Sequence, residues 1–309
     1  MKPKDNNIIT LHNEEWSCEI DVENGARCVN LRCAKYKAVI LREPQEEKVN
    51  SVAFGMPILF PANRIKDGRF SFEGREYIFP INEERTGCHL HGELHKTPFE
   101  IIDKKDNSLV CRYAATKDRP YLSFPHEFSI IIEYSLSRAG LTHSVIIENN
   151  SKKNMPFSLG FHTNFNALFL DNSLPEDIFI SANITEEFER DEKRHLPTGV
   201  KPPPDKITTA LLYGSFNPFS EKISRHYRAE GKLTITDSKK RVRVVYDPDK
   251  KFGFLMIYNE AGGSFISLEP MSSLAGCQNS PFPREEVGFD FLKPGETREY
   301  ISNIYIEAF

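Results

Sequence analysis

Two short stretches place a titratable side chain among apolar neighbours. In "MPFSLGFHTNF", residues 155–165, strand periodicity puts Phe157, Leu159 and Phe161 on one face and Ser158, Gly160, His162 and Asn164 on the other. His162 thus points away from the apolar side, Gly160 leaves room for a ligand to approach the backbone, and Asn164 offers a polar contact. In "SFISLEPMSS", Ile266 and Leu268 alternate with Ser267 and Glu269, which leaves a carboxylate near the end of an apolar strand before Pro270. An imidazole holds a transferable proton near neutral pH, and a carboxylate in a partly desolvated cleft becomes a stronger base. Taken singly, His162 also reads as a strand histidine bonded to a neighbour or to water, and Glu269 as a carboxylate on a solvated outer face.

Two further clusters are chemically suggestive. "HLHGELH" carries His89, His91 and His95; in extended chain the first two share a face as a metal pair would, but no third ligand of comparable spacing follows, so a polar ligand site is favoured over a metal. "FPANRIKDG" sets Asn63 and Arg64 just after a Phe-Pro stop, where a guanidinium beside a pocket supplies a fork of donors. His126, in "SFPHEF", reads as loop structure. No nucleophile elbow, P-loop or dinucleotide fingerprint stands out.

The elements that must position these residues are strands. "GRFSFEGREYIFP" alternates Phe70 and Phe72 with polar residues, turns at Glu73-Gly74, and resumes with Tyr77 and Phe79, the pattern of a β-hairpin. "EFSIIIEYSLS", "LTHSVIIENN", "KLTITD", "RVRVVYD", "FGFLMIY", "SFISLEP" and "REYISNIYIEAF" are further β-branched or aromatic runs bounded by turn formers, and long helical stripes are absent. The expectation is an all-β chain of large antiparallel sandwich type. "HLPTGVKPPPDK" is the one candidate linker, but its prolines equally stiffen a surface loop; strand character is the same on both sides, so one domain over 1–309 is expected.

Bulk properties narrow the function. The 309 residues have 40 Lys and Arg against 44 Asp and Glu, a net charge of −4, without the basic excess that phosphate backbones require; no nucleic-acid partner is expected. "MKPKDNNIIT" has no apolar run after its lysines, so neither a signal peptide nor a membrane span is expected and cytoplasm is the default. Six scattered cysteines without a CxxC pair suit free thiols in a reducing compartment.

These motifs, in this order, resemble the aldose 1-epimerase (galactose mutarotase-like) family. "GMPILFPANRIKDGRFSFEGREYIFPIN" is similar to its N-terminal substrate-loop and hairpin block, followed by "HLHG"; "MPFSLGFHTNF" is similar to the strand usually written H-P-Y-F-N; "LPTG" and "SLEP" follow. The resemblance implies a β-supersandwich with a sugar cleft, Glu269 as general base, His162 as general acid, and His91, Arg64 and, more weakly, Asn63 as sugar ligands, with no metal or cofactor. Ring opening takes a proton from the C1 hydroxyl and gives one to the ring oxygen, and reclosure reverses both. "HTNFN" departs from the pattern, and the family's sugar-binding aspartate has no clear counterpart; "KISRHYRA" offers Ser224, Arg225 and His226 there. Two alternatives accompany this reading: a hexose 6-phosphate epimerase, for which Arg85, Lys96, Arg225 and Arg228 are candidate cations, and a carbohydrate-binding protein without catalysis.

Overall fold

The computed structural model describes residues 8–44, 52–259 and 263–309; residues 1–7, on which the leader reading partly rests, lie outside them. The expected strands form and pair antiparallel. A long sheet runs in the order 100–104, 108–115, 128–137, 140–149, 297–308, 242–247, 223–237, 254–259, 265–271, 160–161 and 58–59, and a four-stranded sheet holds Ile8–His12, Trp16–Asp21, Arg27–Cys33 and Ala38–Val39. The Phe70/Tyr77 hairpin forms as read, with the two rings stacked at 4.7 Å. The candidate linker enters the short helix Lys206–Leu212, whose N-terminus is capped by Asp205 accepting from the backbone N–H of Ile207 and Thr208. Among the described residues no helix is long and apolar enough to cross a membrane.

The strand Ile223–Asp237 turns the long sheet into a sandwich. Its first half pairs with Phe254–Asn259 and its second half with Val242–Asp247, so the sheet changes partner along one strand and folds over itself. The inner faces meet through Phe161 against His143 at 4.5 Å and Phe165 against Tyr246 at 5.6 Å. Odd-numbered residues of 161–165 therefore fill the core, and the alternation sends their even-numbered neighbours to the outer face.

"MPFSLGFHTNF" is not one strand. It breaks into Met155–Phe157, Gly160–Phe161 and Thr163–Asn166, and His162 sits at the second break, where its backbone N–H donates to Pro57 (3.0 Å) rather than to a ladder partner. Loops then cover the outer face. The loop holding His91 is fixed from below by Tyr121, whose hydroxyl donates to the Phe60 carbonyl and accepts from the Glu93 N–H at 2.7 Å. Gly92 packs against the same carbonyl, and a Cβ there would lie 1.8 Å from the Phe60 oxygen. Tyr121→Phe strands two buried backbone groups, so it should lower stability by roughly 1–3 kcal/mol, and Gly92→Ala should cost more because φ is +62° as well; denaturant melts of the two variants check both values.

Candidate active site

Strand register lays the site out as rows of neighbours on the outer face. Phe188, His226, Met256 and Glu269 are consecutive cross-strand partners over four strands, and His162, between Gly160 (opposite Met271) and Thr163 (opposite Leu268), continues the row. The next row runs through Ser224, Tyr258, Ser267 and Asn164. Side chains directly opposite one another lie about 5 Å apart, so the register alone brings Glu269 and His162 together although they are far apart in sequence.

They are in contact. His162 Nε2 lies 3.2 Å from Glu269 Oε1, with the residues only 7% and 2% exposed. On its other side, His162 Nδ1 lies 3.2 Å from Asn164 Oδ1. Asn164 has no freedom to turn over: its Nδ2 donates to the carbonyls of Val52 (2.8 Å), Gly55 (3.2 Å) and His162 (2.5 Å), and its Oδ1 also accepts from Ser267 Oγ at 2.7 Å. The oxygen must therefore face the imidazole, Nδ1 carries the proton, and Nε2 presents a lone pair or a second proton to Glu269. A hydrogen bond between Nε2 and Oε1 then needs one proton, on either atom.

Burial decides where that proton rests. Desolvation lifts Glu269 to about 8, against the smaller pull of Arg190 and Arg64 in the other direction, and lowers His162 to about 4 despite its bond to Asn164. Both shifts favour the form in which the carboxyl keeps the proton and donates it to a neutral imidazole.

His91 approaches from the covering loop. The ladder of Arg64–Lys66 with Cys88–Leu90 ends at Leu90, and His91 turns into the left-handed region at φ +65°, so the expected extended pairing of His89 with His91 does not occur. His89 instead bonds the Pro80 carbonyl through Nδ1 (2.8 Å), while the His91 ring stands edge-on to His162 with centroids 5.7 Å apart. Burial, with His162 and Arg64 nearby, holds His91 well below the ordinary imidazole range, and among the described residues its Nδ1 has no hydrogen-bond partner. Asn63, at φ +58°, ties this edge together: its carbonyl accepts from His91 N (3.0 Å), its Oδ1 from Arg64 N (3.0 Å), and its Nδ2 lies 3.7 Å from Met271 Sδ. The Arg64 guanidinium makes a two-point ion pair with Glu83, Nε to Oε2 and Nη2 to Oε1 both 2.7 Å, which fixes its plane. Among the described residues no group of three His, Cys, Asp or Glu side chains could hold a metal.

The "KISRHYRA" segment divides by alternation. Ser224 and His226 face the site, whereas Arg225 turns to the opposite side and pairs with Glu187 (3.1 Å) and Asp205 (2.7 Å). Of the other cations considered, Lys96 pairs with Glu93 (3.1 Å) and Arg228 with Glu186 (2.8 Å), while Arg85 contacts His195 Nε2 at 3.0 Å. His126 is structural, bonded to Tyr77 and to Ser151, both at 2.9 Å. Sequence reading missed Glu83 and Arg190. Arg190 lies two residues beyond Phe188 and donates from Nη2 to the Ser224 carbonyl and, at 2.9 Å, to its hydroxyl, which puts it beside His226.

Comparison with known proteins bears on the fold and the family. Escherichia coli YphB, an uncharacterized protein, is 26% identical over 126 residues, a stretch spanning 41% of each chain, so the match covers less than half the length of that relative. The crystal structure of a galactose mutarotase-like protein from Clostridium acetobutylicum superposes with a TM-score of 0.92 at 27% identity, covering 98% of this chain and 95% of the other. A galactose 1-epimerase from Lactobacillus acidophilus shares the fold at 15% identity, with a TM-score of 0.71 over 100% and 97% of the two chains. The family model described as Aldose 1-epimerase matches residues 7–305, and the chain belongs to that family.

Proposed function

We propose that the protein interconverts the α and β anomers of an aldose, with Glu269 and His162 moving the two protons. The observation that carries this reading is the buried 3.2 Å contact between Nε2 and Oε1, with the far side of the imidazole locked by Asn164. Glu269 acts as base on the C1 hydroxyl and His162 as acid on the ring oxygen. In the sugar-free cleft the shared proton rests on Oε1, so sugar binding must first move it to Nε2; the step then starts with that proton on Nε2 and ends with one on Oε1, and ring opening moves a proton through the sugar without changing the total. Reclosure on the other face runs the same exchange backwards, and neither metal nor cofactor is needed.

The surroundings suit that exchange. The guanidiniums of Arg64 and Arg190 act on Glu269 in favour of its ionised form, offsetting part of its desolvation when the sugar separates it from His162. Neutral His91 offers its unpartnered Nδ1 beside the imidazole, where the anomeric hydroxyl or ring oxygen would lie. Arg64, fixed by Glu83, presents its guanidinium edge as a sugar ligand, and Asn63 holds Arg64 and His91 at one spacing. General acid–base catalysis of this kind contributes about 10²–10⁴-fold per positioned group.

Glu269→Gln should therefore slow exchange between the anomers of glucose or galactose by at least about 10²-fold while sugar binding is largely kept; polarimetry and magnetisation-transfer NMR read the rate. No acceleration by the protein at any concentration would leave the cleft as a sugar-binding site without turnover, and acceleration that Glu269→Gln leaves unchanged would remove Glu269 from the proton transfer.

The pH profile follows from the shared proton. Below about 4 the imidazole gains a second proton and above about 8 the carboxyl loses the only one, so kcat/KM should be flat between these apparent values and fall outside them. Asn164→Asp puts a carboxylate on Nδ1–H and stabilises the imidazolium, which should move the acid limb upward from about 4; the displacement is read from kcat/KM against pH after subtracting the buffer-catalysed rate.

A further inference from the structure

Beyond Glu269, the outer face carries an arginine, Arg190, that acts on Glu269 from a distance but among the described residues has no carboxylate at ion-pair distance. Arg64 is matched by Glu83 and Arg194 by Asp67 at 2.6 Å. Asp191 spends its oxygens on the backbone N–H groups of Lys193, Arg194 and Leu196 in its own loop. Among the described residues Arg190 makes no ion pair: its only bonds are from Nη2 to Ser224, which leaves Nε and Nη1 uncommitted on a half-buried guanidinium. Arg85, on the adjoining loop, makes no ion pair among the described residues: it bonds the imidazole of His195 and acts on Glu83 from farther off.

The position of Arg190 gives this surplus a meaning. Its bond to Ser224 sets the guanidinium over the strand of Ser224 and His226, whose axis lies two strand steps, about 10 Å at ordinary strand spacing, from that of Glu269. That is the reach of a pyranose with C1 at Glu269 and its exocyclic group pointing away. His226 lies between them on the floor, fully buried, with neither ring nitrogen bonded among the described residues. A half-buried cation beside unmet hydrogen-bond capacity is stabilised when an anion completes it, and a guanidinium with two free donor sites matches a carboxylate or phosphate in two-point fashion.

We propose that the preferred substrate is an aldose carrying an anionic group at the end of the chain remote from C1, with Arg190 as its specificity-determining contact. The inference rests on the anomer-exchange reading for its orientation, with C1 at Glu269. It is tested on the intact protein with three probes: D-glucose, D-glucuronate and D-glucose 6-phosphate. Anomer exchange is followed by NMR, and binding is measured separately by NMR titration, which needs no turnover.

At least one anionic sugar should exceed glucose by tenfold or more in kcat/KM, and that ratio should fall at least tenfold in Arg190→Gln and recover in part in Arg190→Lys. Preference for glucuronate assigns a carboxylate, and preference for the 6-phosphate assigns a phosphate. A ratio near one or in favour of glucose in the unmodified protein overturns the proposal, as does a ratio that Arg190→Gln leaves unmoved. The comparison in the unmodified protein decides the matter even where the glutamine variant fails to fold. If no sugar is turned over, the titration separates the two readings. Tighter binding of an anionic sugar that weakens in Arg190→Gln upholds the anion site while the anomer-exchange reading fails, and equal binding of all three sugars overturns the anion site.

Discussion

A carboxyl group and an imidazole buried against each other can hold zero, one or two protons, and only the one-proton state leaves both groups bonded without a net charge in a desolvated place. Glu269 and His162 are in that position, and much of the local structure serves to keep them there. Asn164 spends all of its hydrogen-bonding capacity on the backbone of residues 52, 55 and 162, on Ser267 and on His162, so that the imidazole has one tautomer available. The strand break at His162 takes its backbone out of the ladder and lets its side chain meet Glu269 across the row. The covering loops then close the site from water, which is what moves the two groups away from their ordinary titration ranges.

The loop side of the cleft is built on backbone conformations that side chains avoid. Asn63 and His91 both have positive φ at the same end of one short ladder, at a cost of about 1–2 kcal/mol for a residue such as histidine. The carbonyl of one accepts from the N–H of the other, and Tyr121 and Gly92 pin the same edge to Phe60. Strain of this sort persists only where neighbours overdetermine it, and its effect is to turn His91 out of the ladder and toward His162.

What the sequence made legible followed from alternation. Strand character, the hairpin at Phe70 and Tyr77, and the outward direction of His162, Asn164 and Glu269 all come from a period of two, which survives even where a strand is interrupted. The burial of Glu269 was not legible, because an exposed and a loop-covered outer face have the same local pattern and the covering loops come from distant parts of the chain. Nor was the ion pair of Arg64 with Glu83, whose partners belong to different turns, or the place of Arg190, which in sequence is one charge in the run "EEFERDEK". Register between strands decides such contacts, and a single chain read alone carries no register. The extended reading of His89 and His91 failed for a related reason: the ladder ends one residue earlier than the alternation suggested.

The strand Ile223–Asp237 belongs to both layers of the sandwich, and its glycine at 231, with φ +68° and open space around it, sits where the strand exchanges one partner for the other. Such a joint is a natural place for residues to be gained or lost without disturbing either layer. Yet one residue of slip in the first half would exchange His226 for Arg225 on the cleft floor and withdraw Arg225 from Asp205 and Glu187. A change in chain length, with no change in the residues themselves, would thus convert a neutral floor into a charged one.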